Sequence, residues 1–528
     1  MSAPTSQTVV AGLVETSVDL TQSPYYSRDM APTTRAERRW GMRDIAVLWI
    51  SMSACITTYM LASGLIDGGM DWRQAVTTIF LGNVIVLVPM VLNAHAGTKY
   101  GIPFPVYCRA SFGIRGANVP ALLRALVACG WFGIQTWIGG EALYVILKTF
   151  FSGAATTALY FADPDVPGSG VRVAQLACFL FFWLINMAVV FRGIDSIRLL
   201  LNIKAPLLIV LGLALLAWAY DQAGGFGEML SRPSQFAEGG PKEGKFWGFF
   251  VIALTGNVSY WATLALNIPD FSRYARSQRD QMLGQVLGLP TTMALYSFIG
   301  VAVTSAAYVI YKDLPEATKA SLWDPIKLLE LFKNPVVLVV AMASLALATL
   351  ATNIAANVVS PANDFAHLAP RAISFRIGGL ITGFIGILIQ PWHLLANADM
   401  YIGKWLVGYS LLLGAIGGVL IADYIVLRRT QLDLAGLYRK DGPYWYVSGI
   451  NPLALASLLI GMSLCVPGFM ATLGYIWLAG DLRAPEGAET WPSIWGDLYS
   501  YAWFTSFGAA FVSYLALMLT FGRKFRRN

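Results

Sequence analysis

The sequence predicts an all-α membrane protein of about twelve transmembrane helices, built as two five-helix halves followed by two further helices. Three observations carry this. Charged residues make up 13% of the chain and hydrophobic ones 56%, with a mean hydropathy of +0.58, whereas soluble domains are roughly a quarter charged. Apolar runs close to the ~20 residues that cross a bilayer recur along almost the whole length. The first and sixth of these runs share a polar, helix-breaking middle, so the pattern returns after five spans.

The basic residues lie in short clusters between apolar runs, so the net charge of +7 marks membrane topology and not a nucleic-acid surface. The expected surroundings are a lipid bilayer, with no nucleic acid and no obligate protein partner evident. Cys55, Cys108, Cys129, Cys178 and Cys465 are scattered without a CxxC, and His95, His367 and His393 have no metal-ligand spacing. Neither a disulfide framework, a zinc site nor a cofactor is expected. No cluster of carboxylates, histidines and cysteines suits an enzyme.

Residues 1–43 form a polar tail that ends in Arg35, Arg38, Arg39 and Arg43. Val9 to Val14 is too short for a signal-peptide core, and the tail is read as cytoplasmic. The first span, about Asp44 to Leu65, gathers Ser51, Ser53, Thr57 and Thr58 around Cys55. Such hydroxyls either close back onto their own helix or re-satisfy backbone freed by a break at membrane depth. After the second span, about Gln74 to Ala94, a Gly-, Pro- and Arg-rich loop leads to the third, about Ala117 to Phe150. Trp131 and Gln135 are four apart there and share one helix face. Arg124 is expected to snorkel toward the cytoplasm, and Glu141, an intramembrane carboxylate, is a functional candidate. The fourth and fifth spans, about Val173 to Phe191 and Leu199 to Tyr220, flank Arg192–Arg198.

The sixth span, about Phe246 to Ile268, centres on Thr255-Gly-Asn-Val-Ser-Tyr-Trp261. A break is expected at Gly256 and Asn257, both poor helix formers. The seventh covers about Leu287 to Tyr311, and the eighth, about Pro335 to Val359, carries Thr349, Thr352, Asn353 and Asn357 before Ser360-Pro361. Spans nine to twelve are placed at about Ile377–Ile389, Tyr401–Leu427, Pro452–Leu473 and Leu498–Phe521. The organisation is a tail at 1–43, a first repeat at 44–220, a connecting loop at 221–245, a second repeat at 246–427, a loop at 428–449, two additional helices at 450–521 and a tail at 522–528. Basic clusters at 99–115, 192–198, 273–279, 371–376, 428–440 and in both tails alternate with loops whose acids match or exceed their bases, such as Asp163 and Asp165, or Asp481, Glu486 and Glu489. This places both termini in the cytoplasm, in a plasma or inner membrane.

Interrupted segments at corresponding places in two halves point to a transporter with its site at mid-membrane. Trp131 and Trp261 then hold a planar ring while Gln135 and Asn357 read its carbonyl and N–H edge. Taken alone, Trp131 and Gln135 serve equally well as a packing Trp and an interhelical Gln. Stacking at about 1–3 kcal/mol per ring, with about 1–3 kcal/mol lost for each buried polar group left unpaired, reaches micromolar affinity, about −8 kcal/mol, with a few such contacts.

Seven stretches, in this order, resemble the nucleobase:cation symporter family: Gly101-Ile-Pro-Phe-Pro, Phe112-Gly-Ile-Arg-Gly, Trp131-Phe-Gly-Ile-Gln-Thr-Trp, Ile268-Pro-Asp270, Asn353-Ile-Ala-Ala-Asn357 with Ser360-Pro361, Pro391-Trp392 and Ala422-Asp-Tyr424. The resemblance runs from about Trp40 to Tyr446. It implies a leucine-transporter-like five-plus-five inverted repeat with two extra helices, importing purines, pyrimidines, hydantoins or allantoin with a cation by alternating access. It implies that Trp131 and Trp261 are the stacking tryptophans and Gln135 and Asn357 the amide readers. Cys55 and Tyr260 fall at pocket positions that vary with substrate. A hydantoin-carrying member has a glutamine and a glycine there, so this chain's pair favours a small ring such as allantoin or uracil over a bulky aryl-hydantoin. The family's sodium site falls on backbone carbonyls near Ser51, Ala54 and Ala348 and on side chains at Ala351 and Thr352, of which only Thr352 supplies a hydroxyl. The missing oxygen leaves the coupling ion open between proton and sodium, with Glu141 and Asp270 as candidate proton carriers. Two other readings fit the same scaffold: an amino-acid transporter, which has no use for two stacking faces, and a non-transporting membrane receptor.

Overall fold

Backbone N–H and C=O groups at membrane depth need partners within the chain, and helices meet that demand locally. The structure, a computed structural model, describes residues 7–151, 170–192, 194–481, 483–485 and 488–525 and is helical almost throughout. Asp163, Asp165, Glu486, Arg526 and Arg527 lie outside the described residues, as do the side chains of Asp195 and Arg198.

The first half contains α1 (Met42–Ser53), α2 (Ile56–Asp67), α3 (Trp72–Tyr100), α4 (Phe104–Phe112), α5 (Asn118–Phe150), α6 (Val173–Arg192) and α7 (Ile194–Ala223). The second contains α8 (Phe246–Tyr260), α9 (Ala262–Asn267), α10 (Gln278–Ile310), α11 (Pro325–Leu329), α12 (Pro335–Asn357), α13 (Val359–Leu368), α14 (Phe375–Leu388) and α15 (Met400–Leu427). α16 (Pro452–Ser463), α17 (Val466–Thr472) and α18 (Ala502–Phe525) follow. Among the described residues, eight helices are long and apolar enough to cross a bilayer, and two bent pairs, α1 with α2 (57°) and α16 with α17 (42°), raise the number to ten. The shorter apolar helices α8 and α14 stand where the sixth and ninth spans are expected.

α10 packs along α1, α2 and α3, and α3 runs on along α8 and α9; α5 packs against α6, α12, α13 and α14. These are two bodies, each drawing corresponding segments from both halves. α15, α16 and α18 pack together beside them. Small residues set the closest approaches: a Cβ on Gly288 of α10 would lie 2.8 Å from Trp49 Cβ, and one on Gly133 of α5 would lie 2.5 Å from the Gly386 carbonyl of α14.

Several sequence expectations are corrected. The sixth span breaks at Trp261 (φ −101°, ψ 2°), five residues beyond Gly256. Asn257 Nδ2 donates back to Ala253 O at 2.8 Å and Gly256 lies against Ile402, so the expected breakers serve packing inside α8. The eighth segment continues beyond Val359 to Leu368, with Pro361 in the first turn of α13, where its missing N–H is tolerated. Arg124 does not snorkel: it is 1% exposed and pairs with Asp364 of α13 at 2.6 Å, so a carboxylate within reach replaces the water it would otherwise seek. The N-terminal tail is folded, with an antiparallel hairpin of β1 (Gln7–Val10) and β2 (Leu13–Thr16). Its Arg38 is buried among the carbonyls of Thr33, Thr98 and Val14.

Asp364→Ala strands Arg124 as an uncompensated buried charge and is expected to cost about 3–5 kcal/mol, read as a lowered thermal unfolding midpoint of the detergent-purified protein. The double change Arg124→Met with Asp364→Leu should recover most of that loss, and an unaltered midpoint in the single variant would refute the pair's structural role.

Candidate functional site

Three interruptions point their flanking side chains at one place. Cys55, in extended backbone (φ −153°, ψ 161°), starts α2; Trp261 ends α8; Asn357 is the last residue of α12. Trp131 and Gln135, one turn apart on α5, face them. Cys55, Trp131, Gln135, Tyr260, Trp261 and Asn357 all line a single narrow cavity of about 30 Å³, together with Thr57, Thr263, Thr352, Met52, Leu264 and Ala356. Each of the six is at most 8% exposed. Among the described residues, no Asp, Glu, Lys, Arg or His lines it.

The walls are aromatic. Tyr260 meets Trp131 edge to face (centroids 5.3 Å, 83°) and Trp261 likewise (5.0 Å, 90°). Trp49 backs Trp261 at 5.3 Å, and Tyr401 and Trp405 flank Trp131 at 6.1 and 6.3 Å. These perpendicular contacts are the arrangement that ring quadrupoles favour, and they fix the two indoles around the cavity.

Thr57, noted in the sequence only as one of a hydroxyl run, is the polar hub. Its Oγ1 lies 2.8 Å from Tyr260 OH and 3.3 Å from Cys55 Sγ, and it accepts from Gln135 Nε2 at 3.2 Å. Tyr260 OH also lies 3.0 Å from Thr58 Oγ1 and 3.2 Å from Cys55 Sγ. Gln135 Oε1 and Trp261 Nε1 are buried without a partner, and both belong to residues on the cavity wall. A buried carbonyl and a buried N–H left open in this way are what a ring with both hydrogen-bonding senses would satisfy. Asn353, seen in the sequence as a neighbour of Asn357, bonds to Asn357, Thr136 and Asn186. Asn186 is not singled out by the sequence reading; its signal is an amide inside an apolar run, eleven residues beyond Gln175 at the start of the same span.

Ser51 and Ala54 at the end of α1, and Ala348, Ala351 and Thr352 on α12, are all buried. Thr352 Oγ1 donates to Ala348 O at 2.9 Å, so two of the oxygens expected around a cation are bonded to each other. Among the described residues no group of three or more His, Cys, Asp or Glu side chains could hold a metal ion.

Glu141 and Asp270 stand outside the cavity. Glu141 accepts from Gln175 at 2.9 Å and pairs with Lys327 of α11 at 3.2 Å. Lys327 also reaches Glu330 at 3.4 Å, which pairs with Lys148 at 2.8 Å. Burial works to lower the Lys327 ammonium, but Glu141, Glu330 and Asp324 outweigh it and hold it above its ordinary value; burial pushes the Asp324 carboxyl up to about 6. Asp270 Oδ1 accepts from Phe104 N at 2.8 Å, at the start of α4.

Residues 32–491 match the family model described as permease for cytosine/purines, uracil, thiamine and allantoin. The chain is 42% identical over 498 residues to a purine-uracil permease of Arabidopsis thaliana, covering 94% of this chain and 78% of the relative. It is 35% identical over 497 residues to an allantoin permease of Bacillus subtilis, covering 93% of each. Among solved structures it resembles the inward-facing conformation of Mhp1, with a TM-score of 0.73 at 24% identity and 96% of each chain covered. It also resembles Mhp1 closed with bromovinylhydantoin bound, with a TM-score of 0.71 at 23% identity and 95% and 97% covered. The fold is therefore the leucine-transporter-like inverted repeat that the sequence predicts. On the strength of a match spanning most of its length, the chain belongs to the family of permeases for cytosine/purines, uracil, thiamine and allantoin, and it is a membrane transporter and not an enzyme.

Proposed function

We propose that the chain is a cation symporter that imports a small, neutral, planar heterocycle, uracil or allantoin, by alternating access, with both termini in the cytoplasm of a plasma or inner membrane. The observation that carries this reading is the lining of the cavity: two indoles, two amides and, among the described residues, no charged side chain. Burying an unpaired ligand charge there would be far costlier than burying a neutral ring, which disfavours a zwitterionic amino acid. A pocket this small, with Tyr260 against both tryptophans, suits a single ring, and relatives named for uracil and allantoin support the same choice. The walls come from both bodies: Cys55, Thr57, Tyr260 and Trp261 from one, Trp131, Gln135 and Asn357 from the other. A ligand held between them is therefore handed across when the bodies rock.

A proton is the coupling ion in this reading. Ala351 offers no side-chain oxygen, and Thr352 is bonded to the Ala348 carbonyl, which leaves a weak shell for a hard cation. Glu141 and Asp270, six residues beyond Gln135 and nine beyond Trp261, are the carboxylates proposed to carry it.

Trp131→Ala and Trp261→Ala should each weaken ligand binding about tenfold or more, since a stacking contact is typically worth about 1–3 kcal/mol, while the ligand-free unfolding midpoint stays near wild type. A thermal-shift titration with uracil and allantoin measures this, and wild-type affinity in both variants would sink the paired-indole site. In proteoliposomes, radiolabelled uracil or allantoin should accumulate under an inward proton gradient without sodium. Accumulation that needs sodium assigns the other ion, and saturable binding without accumulation refutes an importer.

A further inference from the structure

An asparagine chain behind the cavity fixes which hydrogen-bonding sense Asn357 shows to a ligand. It begins at Asn186 of α6, fully buried in an apolar helix. Asn186 Nδ2 donates to Phe182 O at 2.8 Å. A backbone carbonyl only accepts, so this amide has one orientation, and its Oδ1 is left to accept. It accepts from Asn353 Nδ2 at 3.1 Å. The same nitrogen faces Phe132 O at 3.3 Å and Thr136 Oγ1 at 3.0 Å. Thr136 gives its own proton to Phe132 O at 2.7 Å, so it too can only accept from Asn353. Three acceptors thus hold Asn353 Nδ2, which turns Asn353 Oδ1 toward Asn357, whose Nδ2 donates to it at 3.1 Å. With its nitrogen engaged behind the wall, Asn357 presents its carbonyl oxygen. Reversing it would set two amide oxygens against each other and leave buried groups unpaired. Gln135 shows the same sense: Nε2 is taken by Thr57 and Oε1 is open.

We propose that Asn186 and Asn353 are positioning residues that make this site an acceptor pair, so that it selects rings carrying N–H donors on two edges, the cyclic ureides and imides, over rings of equal size that present a bare ring nitrogen there. This rests on the heterocycle reading above and deepens it. Uracil and cytosine make the comparison at nearly constant size, because the uracil N3–H is a bare acceptor nitrogen in cytosine. Allantoin is a second donor-rich ring.

The test is the ratio of affinities, for whichever of uracil and allantoin binds more tightly, relative to cytosine, measured by thermal-shift titration on the full-length purified chain. Wild type should favour the donor-rich ring at least tenfold. Asn353→Leu and Asn353→Ala, one filling the space and one leaving it empty, remove the acceptor that holds Asn357 Nδ2, free Asn357 to turn over and should lower the ratio at least threefold. Asn186→Asp, which still accepts from Asn353, should keep it. A merely structural role would weaken all three ligands alike, and an unchanged ratio in the variants that fold overturns the proposal, as does a wild-type ratio near one. If wild type binds none of the three, the heterocycle reading itself fails, and this inference with it.

Discussion

A helix interrupted inside a bilayer frees N–H and C=O groups that lipid cannot satisfy, and this chain interrupts three segments around its cavity, at Ala54–Cys55, Trp261 and Val358. Local turns take up part of the demand: Thr58 N and Tyr59 N donate to Cys55 O, Ala265 N to Trp261 O and Ala362 N to Val358 O. The remainder is met from outside. Tyr401 OH donates to Thr57 O at 3.1 Å and Tyr409 OH to Ser259 O at 2.7 Å. Both tyrosines sit on α15, so one helix outside the two bodies props the backbone beside both of the paired breaks. Asn93 of α3 does the same for Ala265 O at 2.8 Å. The cavity exists because these tyrosine and asparagine side chains make broken backbone affordable at that depth.

The same interruptions explain how much of the site is visible in the sequence. Spacing alone makes legible that Trp131 and Gln135 share a face, because an unbroken helix fixes it, and only the polar middles of the sixth and eighth spans turn that face toward a site. Cys55 and Thr57 are legible as a hydroxyl-rich run, since such runs accompany a break. The position of the sixth break is not legible. Gly256 and Asn257 have the lowest helix propensity in that stretch, yet Asn257 folds back on its own helix and a Cβ on Gly82 of α3 would lie 2.6 Å from its Cβ. Tertiary packing outweighs a propensity difference of about 1 kcal/mol. Arg124 and Asn186 fail for a related reason: the first is expected to snorkel and the second is not singled out, because the partner that decides each role lies 240 residues away at Asp364 for the one and 167 away at Asn353 for the other.

Recognition at the site is divided between surfaces of different stiffness. The indoles are held by edge-to-face aromatic contacts, and Asn357 by an amide chain anchored on backbone carbonyls. The side built from Cys55, Thr57, Thr58 and Tyr260 is held by hydroxyl and thiol groups that can each donate or accept. Its bonds can be redistributed without leaving a buried group unpaired, and it abuts the backbone break. In the proposed function, adaptation to a particular ring therefore belongs to this side, while the general demand for a flat, hydrogen-bonding ring belongs to the other.

The distribution of charge bears on how such a molecule moves. Arg124 and Asp364, a buried ion pair, sit on α5 and α13, within one body, so rocking in the proposed alternation carries the pair intact, while the Asp270 carboxylate interacts with Arg124 from the other body. Among the described residues, neutral bonds cross between the bodies from Gln135 to Thr57 beside the cavity and between Asn267 of α9 and Ser360 of α13, and Ser360 also bonds the Asp270 carboxylate. Neutral hydrogen bonds contribute about 0.5–1.5 kcal/mol each, and breaking a buried ion pair costs several-fold more. The outer ion pairs of Glu141, Lys327, Glu330 and Lys148 link α5 to the short helix α11, where the Lys327 side chain is 35% exposed and water screens the separated charges. A ring that offers its own donor to Gln135 does so at the open Oε1 and leaves the Nε2 bond to Thr57 in place. In the proposed function one amide therefore meets the ligand with its oxygen while its nitrogen spans the two bodies.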